Sequence, residues 1–211
     1  MKKIYFVRHG ESEGNVGSIR QDNKTVLTEK GRLQAKTVAK RCAELPIEVI
    51  ICSTLQRAEQ TAEEILKETH KPIEYSALFI ERQRPSEVIG KPKDDPKSIK
   101  AEEAVIKNFH LPGFRYSDEE NFDDLKERAR KALKYLAERP EENILVVTHG
   151  FFMRIIMAYV LFGDKLTGEE CNKCIRVFHM ENTALTELCY DDKKESSPWW
   201  LWTWNDHAHL D

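Results

Sequence analysis

The chain has 211 residues, 40% of them apolar, enough for a well-buried core, and its 33 basic against 36 acidic residues leave a net charge of −3. That balance provides no global field for nucleic acid or an anionic membrane, so any anion site must come from a local cluster. No apolar run reaches membrane-spanning length, and Met1-Lys2-Lys3 leads straight into a strand too short and mixed for a signal peptide, so a cytosolic location is expected.

In chain order, Ile4-Tyr5-Phe6-Val7 predicts a buried strand that ends abruptly in Arg8-His9-Gly10. Leu27, Gly31, Ala35, Val38, Cys42 and Leu45 recur at helical spacing, with Thr28 placed to cap a helix over 28–44. Glu48-Val49-Ile50-Ile51-Cys52 is the next strand, and Ser53-x-x-Gln56 reads as a capping box opening a helix with Leu55, Ala58, Ala62, Ile65 and Leu66 inside. Pro72-Ile73-Glu74-Tyr75 reads as a short strand, and Leu78-Phe79-Ile80-Glu81 closes the regular pattern.

Residues 82–122 hold four of the eight prolines and few periodic apolar positions, which predicts an inserted lid or long loop with one short helix over 98–108. Ser117-x-x-Glu120 is a second capping box, followed by Leu125, Ala129, Ala132, Leu133 and Leu136 at helical spacing up to Pro140. A strand over 143–148 runs into an apolar helix over 151–162, and 175–180 with 183–190 read as two strands joined at Glu181-Asn182. Trp199-Trp200-Leu201-Trp202-Thr203-Trp204 holds all four tryptophans and reads as a final aromatic strand packing on the sheet. The fold class that follows is a three-layer α/β/α domain over 1–211, with a mostly parallel sheet carrying an antiparallel edge strand and the insert at 82–122. The edge strand and the tryptophan segment are the surfaces on which a homodimer would form.

Asn143-Ile144-Leu145-Val146-Val147-Thr148-His149-Gly150 repeats the arrangement of the first strand far downstream. Carboxyl ends of parallel strands face one crevice, so His9 and His149 are expected to meet there. A histidine held in one tautomer is a good nucleophile toward phosphorus, and the adjacent Arg8 supplies a donor fork matched to phosphate oxygens. The five cysteines are odd in number and mostly lie in apolar runs, which predicts reduced thiols; Cys171-Asn-Lys-Cys174 lacks the partners of a zinc site and reads as two incidental thiols near the start of a strand.

Arg8-His9-Gly10-Glu11-Ser12 with Asn15, Leu27-Thr28-Glu29-Lys30-Gly31, Ser53-Thr54-Leu55-Gln56-Arg57 with Gln60-Thr61-Ala62, then Glu81 and Thr148-His149-Gly150 together resemble the histidine phosphatase superfamily, which includes the cofactor-dependent phosphoglycerate mutases. The resemblance implies a phosphoglycerate mutase-like fold and a transient phosphohistidine at His9. It further implies that Arg8, Arg57, Asn15 and His149 hold the phosphoryl group, and that Glu81 donates a proton. Ser12 and Gly150 complete the expected phosphate-binding set, although a capping role competes evenly at Glu11 and Ser12. Glu81, desolvated under the lid, is expected to stay protonated long enough to act as the acid. No metal and no cofactor are expected.

Gly14 stands where the mutases carry Trp, and Gln83-Arg84-Pro85 replaces their His-Tyr-Gly-like run, so hydrolysis of a small phosphorylated metabolite is favoured over phosphoryl transfer to a second hydroxyl. Mutase activity is the alternative. A phospholigand-binding protein without turnover is a further alternative, disfavoured because both His9 and Glu81 are present. Lys91, Lys93, Lys97 and Lys100 offer contacts to a second anion, but Asp94, Asp95, Glu102 and Glu103 beside them favour an ordinary solvated surface.

Overall fold

The computed structural model describes residues 1–194 and 197–210. One six-stranded sheet has the order β3-β2-β4-β1-β5-β6, built from β1 (Lys2–Arg8), β2 (Val49–Cys52), β3 (Ile73–Tyr75), β4 (Asn143–Thr148), β5 (Leu185–Tyr190) and β6 (Trp199–Asp206). The first four strands pair in parallel, and β5 and β6 add antiparallel.

The sheet is buried on both faces, which explains the continuous apolar runs of its central strands. Ile4 and Phe6 of β1, Val49 and Ile51 of β2, and Ile144 and Val146 of β4 point into one core. The alternate residues Tyr5, Val7, Ile50, Cys52, Leu145 and Val147 point into the other. The second core is closed by α2 (Glu29–Ala43) and α3 (Gln56–Thr69), the first by α5 (Phe122–Glu138), α6 (Gly150–Phe162) and α7 (Gly168–Val177). On β6, Trp199 and Trp204 pack against the first core while Trp202 is exposed. No helix among the described residues is long and apolar enough to cross a membrane.

Two sequence expectations fail here. The segment 175–180 is not a strand: Thr167 and Glu170 form a capping box that starts α7, and Cys171, Cys174, Ile175 and Phe178 follow a helical period along the core. The thiols of Cys171 and Cys174 therefore sit on a packed helix face. The Ser117-x-x-Glu120 box likewise does not open a helix, because Asn121 caps α5 with Asp124 as its reciprocal partner. The insert contains α4 (Pro96–Asn108), capped by Asp95, and is tied to the loop after a short α1 (Glu13–Val16). Arg20 N donates to Lys91 O at 2.9 Å and Lys93 N to Ser18 O at 2.6 Å, so the insert forms one wall of the crevice at the strand ends.

Candidate active site

The β1–β4 register sets Arg8 opposite Thr148, and His9 N donates to Thr148 O at 3.0 Å, so the two strands end side by side. His9 Nδ1 lies 2.7 Å from Gly10 O. A carbonyl only accepts, so Nδ1 carries the proton and Nε2 keeps its lone pair, toward which Arg57 Nε donates at 3.3 Å. Burial, reinforced by His149, Arg57 and Arg8, pushes the His9 pKa well below that of a free imidazole. The ring is neutral and its orientation is fixed. Its main chain is pinned by Asn182 Nδ2, which donates to His9 O at 2.9 Å.

His149 is fully buried, its centroid 5.1 Å from that of His9. Its Nε2 lies 2.7 Å from Ser53 Oγ, while its Nδ1 and the Nε of Arg8 are buried without a partner among the described residues. Buried donors in that condition call for an acceptor. Burial, with Arg57, Arg128 and Arg8, also holds His149 well below the usual imidazole range. Ser53 is thus not the cap that its Ser-x-x-Gln spacing predicts; the cap position of α3 falls to Leu55, and the serine hydroxyl is free to orient His149. A Cβ at Gly150 would sit 3.1 Å from Arg8 Nε, so glycine there lets the guanidinium lie against the amino end of α6.

Glu81 accepts from Phe151 N at 3.1 Å, Phe152 N at 3.0 Å and Arg82 N at 2.9 Å, supplying the cap that His149 does not give α6. Against the expectation of a protonated Glu81, its surroundings favour the carboxylate. Burial does push its pKa up, but the amide of Arg82, the charge of Arg57 and the amide of Phe151 win and hold it below the usual carboxylate range. Arg128 fixes the approach to Glu81, donating to Leu78 O at 3.1 Å and Ile80 O at 2.7 Å while it pairs with Glu120.

Of these groups Arg8, His9, Arg57 and Glu81 line a cleft of about 730 Å³, whereas His149 is fully buried behind them and is not part of its lining. Its lining holds seven basic side chains (Arg8, Arg20, Arg57, Arg82, Arg84, Lys93 and Arg154) and four acidic ones (Asp22, Glu81, Glu102 and Asp118), an excess of three positive charges. Asn15 and Gly150 also line it. Ser12 does not: it is fully buried, with Oγ 2.9 Å from Asn15 Oδ1 and accepting from Gln21 Nε2 at 3.1 Å, so its role is to shape the loop. Of the four insert lysines only Lys93 reaches the lining. Sequence reasoning missed Arg82 and Arg154 as site residues. A lone charge inside the apolar run of α6 was the available signal for Arg154. Among the described residues no group of three His, Cys, Asp or Glu side chains is placed to hold a metal ion.

The chain as a whole has relatives among known proteins. The family model described as the histidine phosphatase superfamily (branch 1) matches residues 4–206, and the chain belongs to that superfamily. A Probable phosphoglycerate mutase GpmB from Photorhabdus laumondii is 31% identical over 221 aligned residues, spanning 100% of this chain and 96% of the relative. Among solved structures, Bacillus stearothermophilus YhfR superposes with a TM-score of 0.82 at 25% identity over 100% of both chains. A mycobacterial glucosyl-3-phosphoglycerate phosphatase reaches 0.79 at 24% identity, covering 98% of this chain and 100% of its own, and shares the fold.

Proposed function

We propose that the protein is a metal-independent phosphomonoesterase that works through a phosphohistidine on His9. The observation that carries this reading is the 2.7 Å contact of His9 Nδ1 with Gly10 O, which leaves Nε2 as a neutral nucleophile inside a cationic cleft. Nε2 attacks phosphorus as the bond to the leaving oxygen breaks, and Arg8, Arg57 and the unpartnered Nδ1 of His149 stabilise the equatorial oxygens. Asn15 adds a neutral donor, its Oδ1 being held by Ser12. Glu81 takes up a proton when the bound phosphoryl dianion adds negative charge beside it, and gives that proton to the leaving alkoxide. It then takes a proton from the water that attacks the phosphoenzyme, and the P–N electron pair returns to Nε2.

The test is hydrolysis of p-nitrophenyl phosphate in excess chelator by wild type and His9→Ala, with acid and alkaline quenches. Turnover that survives chelation, an acid-labile and alkali-stable phosphoenzyme, and loss of both in His9→Ala are expected. Activity persisting in His9→Ala overturns the mechanism. Phosphoglycerate mutase activity is a second reading, favoured by the names of the curated relatives; it requires return of the phosphoryl group to a second hydroxyl, and isotope-labelled water separates the two fates.

A further inference from the structure

Arg8 and His9 are braced along the main chain from two sides. β4 holds one side, and the turn 180–184 before β5 holds the other. Thr183 N donates to Arg8 O at 3.0 Å, Arg8 N to Ala184 O at 3.4 Å and Asn182 Nδ2 to His9 O at 2.9 Å, while the Arg8 guanidinium donates to Met180 O. This turn contains a backbone outlier. Thr183 is fully buried at φ +58°, a left-handed conformation foreign to β-branched residues, which persists only where the surroundings over-determine it. Those surroundings come from the end of β6 and the short helical turn Ala208–Leu210, which packs on α2. Glu181 N donates to Asn205 Oδ1 at 2.7 Å, and Asn205 N to Thr186 Oγ1 at 3.1 Å. His209 bridges Arg41 of α2 to Thr183, with Nδ1 3.2 Å from Arg41 Nη1 and Nε2 3.4 Å from Thr183 Oγ1. A guanidinium only donates, so Nδ1 accepts, the proton sits on Nε2, and Nε2 donates to Thr183. The threonine hydroxyl in turn donates to Asn182 O at 2.7 Å.

We propose that Thr183 and His209 are positioning residues: through the contacts from Arg41 to His209, Thr183 and Asn182 they lock the turn that fixes the main chain of Arg8 and His9, and with it the aim of the His9 ring. The proposal rests on the hydrolase reading, in which Nε2 of that ring attacks phosphorus. The path is polar at each step, and its far end is anchored because Asp206 pairs with Arg41. Its near end falls on the main-chain oxygens of Arg8 and His9, so a shift of the turn is passed directly to the dipeptide. The strain at Thr183 gives the turn a reason to relax once His209 or the hydroxyl is removed. Displacing reacting groups by about 1 Å costs about a hundredfold in rate. Because β4 keeps hold of the other side, a smaller loss is expected here.

The experiment compares wild type with Thr183→Val, Thr183→Ser, His209→Ala and the Thr183→Val/His209→Ala double variant, using p-nitrophenyl phosphate as substrate and inorganic phosphate as competitive inhibitor. Thr183→Val and His209→Ala are each expected to lower kcat/KM at least about fivefold while the inhibition constant of phosphate changes less than about threefold. Thr183→Ser, which keeps the hydroxyl, should restore most of the rate. The double variant should fall no more than about twofold below Thr183→Val, because both substitutions cut one path. A smaller loss in either single variant, an equal loss of phosphate affinity, no rescue by serine, or losses that multiply in the double variant overturns the proposal and leaves the hydrolase reading standing. If Thr183→Val does not fold, His209→Ala carries the test with Asn205→Ala beside it. If wild type neither turns over nor forms a phosphoenzyme, the hydrolase reading fails, and proton–nitrogen correlation spectra of the imidazoles, with His9 assigned by His9→Gln, still decide the brace: displaced His9 signals in His209→Ala support it, and unchanged signals overturn it.

Discussion

Ser53 Oγ lies 2.7 Å from His149 Nε2 and also accepts from Leu55 N at 3.3 Å, so the hydroxyl couples the orientation of the second histidine to the loop that starts α3. With its oxygen already accepting an amide, the hydroxyl is set to donate to Nε2, which places the imidazole proton on Nδ1, the unpartnered nitrogen. Ser53→Ala removes that constraint. The expected outcome is a fall in kcat of roughly 10- to 100-fold, the rate equivalent of about 1–3 kcal/mol, with KM changed less than about threefold. Steady-state kinetics with p-nitrophenyl phosphate, with Tm measured in parallel, check it; equal losses in kcat and Tm without a KM split would mark Ser53 as merely structural.

Glu81 caps α6 and is proposed to move a proton during turnover, and the leaving group tells these roles apart. An alkoxide must be protonated as it departs, whereas p-nitrophenolate leaves unaided. Glu81→Gln keeps the size and can still accept from Arg82 N and Phe152 N through its carbonyl oxygen, but its amide nitrogen cannot accept from Phe151 N, and it cannot exchange a proton. It is expected to lower kcat/KM for an alkyl phosphate by about 10²–10⁴ and that for p-nitrophenyl phosphate by less than about tenfold. Equal losses for both esters would assign Glu81 to helix capping alone.

Much of this site is legible in the sequence because buried parallel strands write themselves as short apolar runs, and β1 and β4 each end in His-Gly. What is not legible depends on partners distant in the chain. Ser53 has the spacing of a helix cap, and only the fold shows that His149, 96 positions away, claims its hydroxyl. Ser12 sits in a motif suggestive of ligand contact, yet Asn15 and Gln21 take up its side chain. Burial alone predicts a protonated Glu81, but the amide of Arg82, the charge of Arg57 and the amide of Phe151 reverse the sign. The missed helix α7 has a local cause: the Thr167–Glu170 box outweighs the apolar residues that suggest a strand.

Gly31 supports the loop after His9 from behind. A Cβ there would lie 1.8 Å from Glu11 O, and a Cβ at Gly10 would lie 2.4 Å from Gly31 O, so the first turn of α2 rests directly on the backbone that follows His9. Thr28 N donates to Glu11 O at 3.0 Å across the same contact. The obstacle is main chain, which cannot rotate away, so Gly31→Ala must push the two segments apart. Overpacking of this kind costs about 3 kcal/mol, a Tm decrease of roughly 6–12 °C for a chain of this size. Calorimetry reads the decrease, and kcat should fall with it because Gly10 O sets the His9 tautomer; an unchanged Tm would refute the close contact.

Acid should destabilise the fold through its two buried imidazoles before its carboxylates respond. His9 and His149 are held neutral, well below the free imidazole value, chiefly by burial. In the unfolded chain they take up protons near pH 6.5, so below that pH the unfolded state binds more protons and stability falls as pH falls. Each histidine contributes a slope of at most about 1.4 kcal/mol per pH unit. Glu81, also depressed, adds its loss only below about pH 4.5, where the unfolded carboxyl begins to protonate. Half-buried His209, lowered by burial and Arg41, adds a further share in the upper window. Urea unfolding at pH 7.5, 6.5 and 5.5 should therefore show wild type losing up to about 2 kcal/mol through His9 and His149 between the last two points. The His9→Gln/His149→Gln double variant should retain only the shallower dependence left by His209; parallel curves for the two proteins would show that the imidazoles are not held neutral in the fold.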